Sequence, residues 1–471
     1  MRVDLQSVVD NGKMGVLQIR VVVLCALVMM IDGYDLTIIG VALPTIINDM
    51  KIDPSVAGLV ASCALIGMMV GAMSLGALAD KIGRVRSIAL CVFIFSSFTA
   101  IGGLADGAYQ LAVLRFIAGI GLGGVLPSVV ASVSEITPKR VRSRMTMLMF
   151  AAYPVGGIIA TLLGKQFMEL YGWQIVFYVA AIPLVLIPFI LKGIPESSIL
   201  LQKRNDHNAL CALAKRIDPS LNIGSDADVY APMSGDHKSV PVVRLFREGR
   251  AFSTFMLWLS LFSGLFTLYA LHSWLTKLMG LAGHSVGSSL TFLMFLNIGS
   301  VTGSCLGGWL ADRFGLKRVL AIALIVGGTA IALLAQPLRP EVLMGIVFVV
   351  GLTVPAGQGL CFTYASQFYP TDIRSTGTGM ATGIGRIGGV LAPMIIGLFI
   401  SLQLPFAQNF YVIAMFAILQ SVAVMLIDNR VADFNIPRNQ VNPHKVDAIA
   451  ARSVTTGPRS GGKQRAQNVV D

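Results

Sequence analysis

Twelve long apolar stretches govern what this chain can fold into. They lie near residues 21–47, 55–79, 87–105, 110–134, 146–168, 174–192, 252–276, 286–311, 319–336, 341–365, 375–401 and 408–427. About 20 apolar residues in a helix cross a hydrocarbon core about 30 Å thick. Lipid offers the backbone no hydrogen-bond partners, so each stretch must satisfy its own polar groups as a helix. Only 13% of the 471 residues are charged, against about 25% in soluble globular chains. The expectation is an all-α membrane protein with twelve transmembrane helices in two six-helix bundles, embedded in a lipid bilayer.

The formal net charge of +12 has meaning only through its placement. Lys81, Arg84 and Arg86 follow the second stretch, and Lys139, Arg140, Arg142 and Arg144 follow the fourth. Arg313, Lys317 and Arg318 follow the eighth, and Arg374 follows the tenth. The alternate loops hold few cations, namely Lys51, Lys277 and Arg339. The positive-inside rule then puts the crowded loops and both termini in the cytoplasm. The basic balance encodes topology and not nucleic-acid binding. The first apolar stretch is too long for a signal-peptide core, and the six cysteines match neither a metal site nor a disulfide framework.

The two halves repeat. Gly76-Ala-Leu-Ala-Asp80-Lys-Ile-Gly83 returns 232 positions later as Gly308-Trp-Leu-Ala-Asp312-Arg-Phe-Gly315. Pro138, Arg142, Ser143 and Gly156-Gly157 return at the same offset as Pro370, Arg374, Ser375 and Gly388-Gly389. Six helices separate the copies, so both enter the membrane in the same direction, the parallel repeat of two transporter halves. The expected domains are a first bundle (1–192), a cytoplasmic linker (193–250), a second bundle (251–428) and a disordered cytoplasmic tail (429–471). Val242 to Arg247 is expected to form a short amphipathic helix on the membrane surface.

Charges inside the apolar stretches need a reason. A carboxylate at the centre of a membrane helix costs on the order of 2.5–3.5 kcal/mol, and the first stretch holds Asp32 and Asp35. Asp32 lies roughly 17 Å into that helix, near the midplane, and the three-residue spacing makes the two neighbours. Two carboxylates in a low-dielectric cavity form a titrating pair suited to proton coupling. The alternative is a structural pair held by Arg115. Arg386 lies near the midplane of the eleventh stretch, and its repeat mate is Pro154, so the scaffold does not require an arginine there. A permanently charged, planar guanidinium suits capture of a substrate carboxylate. The alternative is an arginine tying helices together through backbone carbonyls or an acidic partner.

The loop from Gly76 to Arg86 and its copy resemble the signature of the major facilitator superfamily. Arg115-Phe-Ile-Ala-Gly119-Ile-Gly121-Leu-Gly123-Gly124 is similar to its fourth-helix pattern, and Pro195-Glu196-Ser197 to the signature closing its sixth helix. Asp32-Gly33-Tyr34-Asp35, Leu245-Phe246-Arg247-Glu248-Gly249-Arg250 and Gly385-Arg386-Ile387-Gly388 resemble the aromatic acid:proton symporters of bacteria. Such symporters commonly show Trp-Leu-Pro-Thr at the outer end of the seventh helix, whereas this chain has Trp274-Leu275-Thr276-Lys277.

The resemblance implies the major facilitator fold and a multi-pass carrier in the cell inner membrane, working as a monomer without cofactor or metal. It would import a small aromatic carboxylate together with protons by alternating access. Asp32 and Asp35 would couple protons, while Arg386, Tyr34, Tyr269 and Trp274 would bind substrate. Gly76, Asp80, Arg84, Arg115, Glu135, Asp312 and Arg313 would serve gating or structure, with charges pairing across the halves when the cytoplasmic side is closed. The rival readings are an efflux carrier of the same fold, a symporter for another organic anion, and a transport-dead sensor. The chain shows no Walker sequence and no nucleophile–base pairing of an enzyme. The glycine run after Arg115 lies within a membrane helix and follows no strand, unlike a phosphate-binding loop.

Overall fold

The computed structural model describes residues 2–217, 228–230, 242–247, 249–370 and 373–429. The expected tail from 430 onward and much of the expected linker lie outside the described residues. Among the described residues, twelve helices are long and apolar enough to cross a membrane. They are α1 (Val16–Asp49), α2 (Pro54–Ile82), α3 (Arg84–Gly102), α4 (Ala108–Ile136), α5 (Lys139–Tyr171) and α6 (Gln174–Gly193). The second six are α7 (Ala251–Leu281), α8 (Val286–Phe314), α9 (Leu316–Leu333), α10 (Pro340–Phe368), α11 (Arg374–Ser401) and α12 (Phe406–Leu426). The middle of α6, Val179–Leu186 around Pro183, winds as a tighter 3₁₀ helix.

Local chemistry sets the helix ends. Asp53 caps α2 by accepting from the Ser55 amide at 2.8 Å, and Pro54 occupies the first turn, where a missing N–H costs nothing. Gly83 and Gly315 close α2 and α8 at φ +108° and +90°, a conformation open to glycine without strain. Each amide donates back to a carbonyl at 3.0 Å, Gly83 to Ala79 and Gly315 to Ala311. The repeat thus places the same glycine-closed turn after the second and the eighth helix.

Packing follows the same two-fold logic. α2 packs on α4 and α1 on α5 in the first bundle, as α8 packs on α10 and α7 on α11 in the second. The bundles meet through α2 with α11, α5 with α8, and α1 with α7. With twelve crossings, the described ends of the chain share one face, here the terminal face; the opposite one is the far face. Close inter-bundle contacts gather toward the far face. Ser62 Oγ donates to the Val390 carbonyl at 2.7 Å, and Lys165 Nζ to Thr291 Oγ1 at 3.1 Å. A Cβ on Gly58 would lie 2.4 Å from the Pro393 carbonyl oxygen. Toward the terminal face, a Cβ on Gly76, Gly359, Gly379 or Gly383 would meet nothing within 4 Å. The tight contacts along the seam between α2 and α11 thus lie in its far half, and toward the terminal face its glycines have open space beside them.

A small cap covers the first bundle at the terminal face. The helix Leu5–Asn11 buries Leu5 and Val9 in one cluster with Leu210, Leu213 and Ile217 of the helix His207–Ile217. Arg2–Asp4 pairs in parallel with Asp228–Tyr230, and Asp10 forms an ion pair with Arg142 of α5. Val242–Phe246 forms a 3₁₀ turn with Leu245 buried and Val243 exposed. Cys25, Cys63, Cys91, Cys305 and Cys361 form no disulfide among the described residues.

Candidate functional site

Four consecutive residues near the middle of α1 fan out to four neighbours, because successive side chains on a helix point about 100° apart. Asp32 lines a narrow cavity between the bundles. Gly33 faces α5, where a Cβ would lie 1.9 Å from the Tyr153 carbonyl oxygen, so only a bare Cα lets α1 and α5 close up. Tyr34 turns to α6 and its hydroxyl donates to the Val176 carbonyl at 2.7 Å. Asp35 turns to α3 and α4.

The two carboxylates have different surroundings. Arg115 Nη1 donates to both Asp35 carboxylate oxygens at 3.0 Å, and Nη2 to the Asp35 carbonyl at 3.3 Å. Thr99 Oγ1 donates to Asp35 Oδ1 at 2.5 Å. Both side chains of this ion pair are 2% exposed. The Asp32 carboxylate has no hydrogen-bond partner among the described residues, yet lies in electrostatic range of Asp35 and Arg386. Tyr153 of α5 and Tyr269 of α7 both lie within range of Asp32.

Asp32, Tyr269 and Ser273 share the cavity wall with the paired Asp35 and Arg115 and with an aliphatic surface of Leu36, Ile39, Ala61, Ala64 and Leu65. Met68 closes the end nearer the terminal face, and there Arg386 Nη1 donates to the Met68 carbonyl at 2.7 Å, from the second bundle to the first. The Tyr269 ring lies on α11 over Gly389, where a Cβ would approach it to 2.6 Å. The arrangement offers a cation, a buried carboxylate without hydrogen bonds and an apolar slot with hydroxyl groups on its wall.

Other residues singled out from sequence fall elsewhere. Tyr34 is buried against α6 and does not reach the cavity. Trp274 is fully buried and donates through Nε1 to the Pro393 carbonyl at 3.0 Å, which pins α7 to α11. In this conformer both therefore serve helix packing, since each polar atom is engaged by a backbone carbonyl. Arg84 forms its ion pair with Glu135 of the same bundle, while Glu196 accepts from the Arg84 amide at 2.8 Å. Asp312 is exposed, and Arg313 stacks over Trp309 and Phe314 at 5.6 and 5.7 Å. A Cβ on Gly76 would meet nothing within 4 Å, and the Asp80 side chain lies outside the described residues. Among the described residues no ion pair crosses between the bundles at the terminal face, as expected where they stand apart.

Sequence reasoning missed Thr99, Tyr153 and Ser273. Two of them carried a signal. Ser273 stands four residues after Tyr269, on the same helix stripe, and Tyr153 adjoins Pro154, the repeat mate of Arg386.

Comparison with known proteins places this geometry among carriers. The family model described as Major Facilitator Superfamily matches residues 25–304 and 280–459. The chain is 38% identical to the benzoate transport protein of Acinetobacter baylyi, over 96% of this chain and 97% of that protein. It is 30% identical to a gallate transporter of Pseudomonas putida, over 90% and 94%. It is also 30% identical to a 4-hydroxybenzoate transporter of Pseudomonas aeruginosa, over 90% and 96%. In fold it is similar to the inward-open xylose transporter of Escherichia coli, with a TM-score of 0.66 at 15% identity, covering 92% of this chain and 99% of that one. An inward-facing bacterial homolog of the human lysosomal transporter Spinster gives 0.65 at 19% identity, covering 88% and 97%.

Proposed function

This chain belongs to the Major Facilitator Superfamily, a family of transporters and not enzymes, and from that premise we propose that it imports a small aromatic carboxylate together with protons by alternating access. Its relatives are transporters of benzoate, gallate and 4-hydroxybenzoate, which supports the substrate class. Arg386 receives the carboxylate, Tyr269 and the aliphatic wall take the ring, and Asp32 carries the proton. Asp35 and Arg115 hold α1 to α4 as a closed ion pair. The substrate and proton follow one path within a single chain, so the working unit is a monomer.

The observation that carries this reading is the contrast between the clamped Asp35 and the unpartnered Asp32. Asp35 and Arg115, which also line the cavity, cancel, which leaves Asp32 on its wall and Arg386 beside its Met68 end as the opposed charges. A substrate anion adds one negative charge at low dielectric, where an uncompensated charge costs several kcal/mol. A proton on Asp32 restores neutrality and frees Arg386 for the incoming carboxylate. Anion and proton therefore bind more favourably together than apart.

Direction rests on charge placement. Lys81, Lys139, Arg140, Arg144, Arg313 and Arg318 crowd the terminal face, which supports a cytoplasmic terminal face in the cell inner membrane with both termini inside. The cavity's parting toward that face corresponds to the state that releases substrate inward. Purified protein in liposomes tests the reading through uptake of labelled benzoate, 4-hydroxybenzoate and protocatechuate, with and without an acidic exterior. Accumulation driven by the gradient is expected. Uptake indifferent to the gradient refutes proton coupling, and no uptake of any aromatic acid refutes the substrate class.

A further inference from the structure

We propose that His272 is a second proton-binding site of the carrier, set in the far gate, and that the gate closes only once this proton has left. The inference rests on the alternating access of the proposed function and adds a proton site separate from Asp32.

The repeat brings α1 and α7 together at equivalent points, because Gly40 and His272 stand 232 positions apart. A Cβ on Gly40 would lie 1.8 Å from the His272 carbonyl oxygen, so the two backbones touch there. One copy of the repeat has no side chain at this position, so the crossing itself does not require an imidazole. It lies in the far half, about two turns of α1 beyond Asp32. Nearby, Asn297 of α8 fills a notch in the first bundle, where a Cβ on Gly157 would lie 2.4 Å from Asn297 Oδ1 and 2.8 Å from Thr37 Oγ1. Asn297 is also the polar side chain within reach of the His272 ring. Thr37, His272 and Asn297 are all buried. These contacts join the two bundles, so a state open to the far face has to part them and admit water to the ring.

The ring can exchange one proton. Nδ1 donates to the Leu268 carbonyl at 2.9 Å, and a carbonyl only accepts, so Nδ1 keeps its hydrogen and the second proton comes and goes at Nε2. The groups that close around the junction, Gly40, Thr37, Gly157 and Asn297, do not ionise. Ionisable groups of the helices packed on α7 stand apart. On α1, Asp32 and Asp35 lie toward the terminal face, and Asp35 is paired with Arg115. On α11, Arg386 follows Gly385, which packs on Leu261 and Leu265, about two turns nearer the terminal face than His272. On α10, Glu341 and Cys361 are each ten residues from Gly351, which meets Leu296 beside Asn297. α8 brings Cys305 and α12 the exposed Tyr411, while Lys165 of α5 bonds Thr291. On α7 itself, Tyr269 and Lys277 are three and five residues away. No charged group among the described residues acts on the ring.

An imidazolium enclosed in this junction would therefore be a buried charge without a counter-charge, which is costly. With the far face open, the same ring meets water and can hold its charge. A proton bound in one conformation and shed before the other makes the equilibrium between them depend on pH, so acid outside holds the far gate open. This proton returns to the outside and is not carried with the substrate.

Right-side-out membrane vesicles test the proposal. The chain carries one cysteine, Ala61→Cys on the cavity wall, in an otherwise cysteine-free background, and a membrane-impermeant maleimide labels it from outside without substrate. Rates are divided by those of the unfolded chain at the same pH, which removes the titration of the thiol itself. Labelling should rise by up to about tenfold per pH unit as the outside is acidified from about pH 8 to about pH 5.5. His272→Asn keeps an amide N–H near the place of Nδ1 and His272→Gln an amide near that of Nε2; neither titrates, and both should abolish the rise. His284→Gln, in the loop between α7 and α8, should retain it. No rise in the parent, a rise that persists in both His272 variants, or its loss in His284→Gln overturns the role of His272. Gradient-driven uptake of benzoate beside a gate indifferent to pH would refute this role alone, whereas uptake of no aromatic acid would refute the carrier reading itself.

Discussion

Arg115→Leu should destabilise the protein far more than the combined replacement of Arg115 and Asp35. The single change removes both bonds from Nη1 to the Asp35 carboxylate and the bond from Nη2 to its carbonyl. Thr99 alone then faces a carboxylate whose residue is 1% exposed. Stranding one partner of a buried ion pair costs about 3–5 kcal/mol, whereas exchanging both for apolar groups is often neutral. Asp35→Leu with Arg115→Leu should therefore lie within about 1–2 kcal/mol of wild type, a coupling of at least about 2 kcal/mol. The assay is equilibrium unfolding in mixed micelles for both single variants, the double variant and the parent. Additive losses refute the reasoning, because they mean that Asp35 and Arg115 act independently and the clamp is not what keeps Asp35 in place.

Asp32→Asn should fold like the parent, since the carboxylate makes no hydrogen bond to lose. It should abolish gradient-driven accumulation while preserving exchange of labelled for unlabelled substrate, read by counterflow. Arg386→Lys should raise KM roughly tenfold or more with a smaller effect on maximal rate, because an ammonium cannot repeat the planar two-point grip; kinetic uptake checks it. Gly58→Val should block closure of the far face, where even a Cβ would press on the Pro393 carbonyl at 2.4 Å. Gly76→Val should instead fit this conformer and hinder closure of the terminal face. Opposite changes in thiol labelling of single cysteines placed near each face would register the pair. Trp274→Phe should lose the bond to Pro393, worth about 0.5–1.5 kcal/mol of stability, and leave the ranking of substrates in competition assays unchanged.

The helices and the two-bundle repeat were legible because lipid leaves the backbone few choices. One sequence offset carries through to matched turns at Gly83 and Gly315. The site was legible only in its charges. Asp32 and Asp35 are three residues apart, so they point about 60° apart on the helix. That angle is small enough for a common face to be expected and large enough for their neighbours to differ. Asp35 is captured by Thr99 and Arg115 from α3 and α4, and no local pattern reveals which helix will stand on which side. The same limit explains Tyr34 and Trp274. Each is an aromatic residue with a polar atom near the expected site, and each is turned aside by a carbonyl, that of Val176 or Pro393.

The seam between α2 and α11 joins these observations. Toward the far face it is tight, from the Gly58 contact with Pro393 through the Ser62 bond to Val390. Toward the terminal face a Cβ on Gly76 of α2 or on Gly379 and Gly383 of α11 would meet nothing. The bond from Arg386 to the Met68 carbonyl lies between the tight and the open stretches. On the proposed reading, the guanidinium that bridges the bundles is also the one that receives the carboxylate. A ligand held there interacts with both halves at the point where they diverge. Its binding energy can therefore bear differently on the two closures, which a differential effect on a conformational equilibrium requires. A site deep in one bundle would bind as tightly and shift nothing.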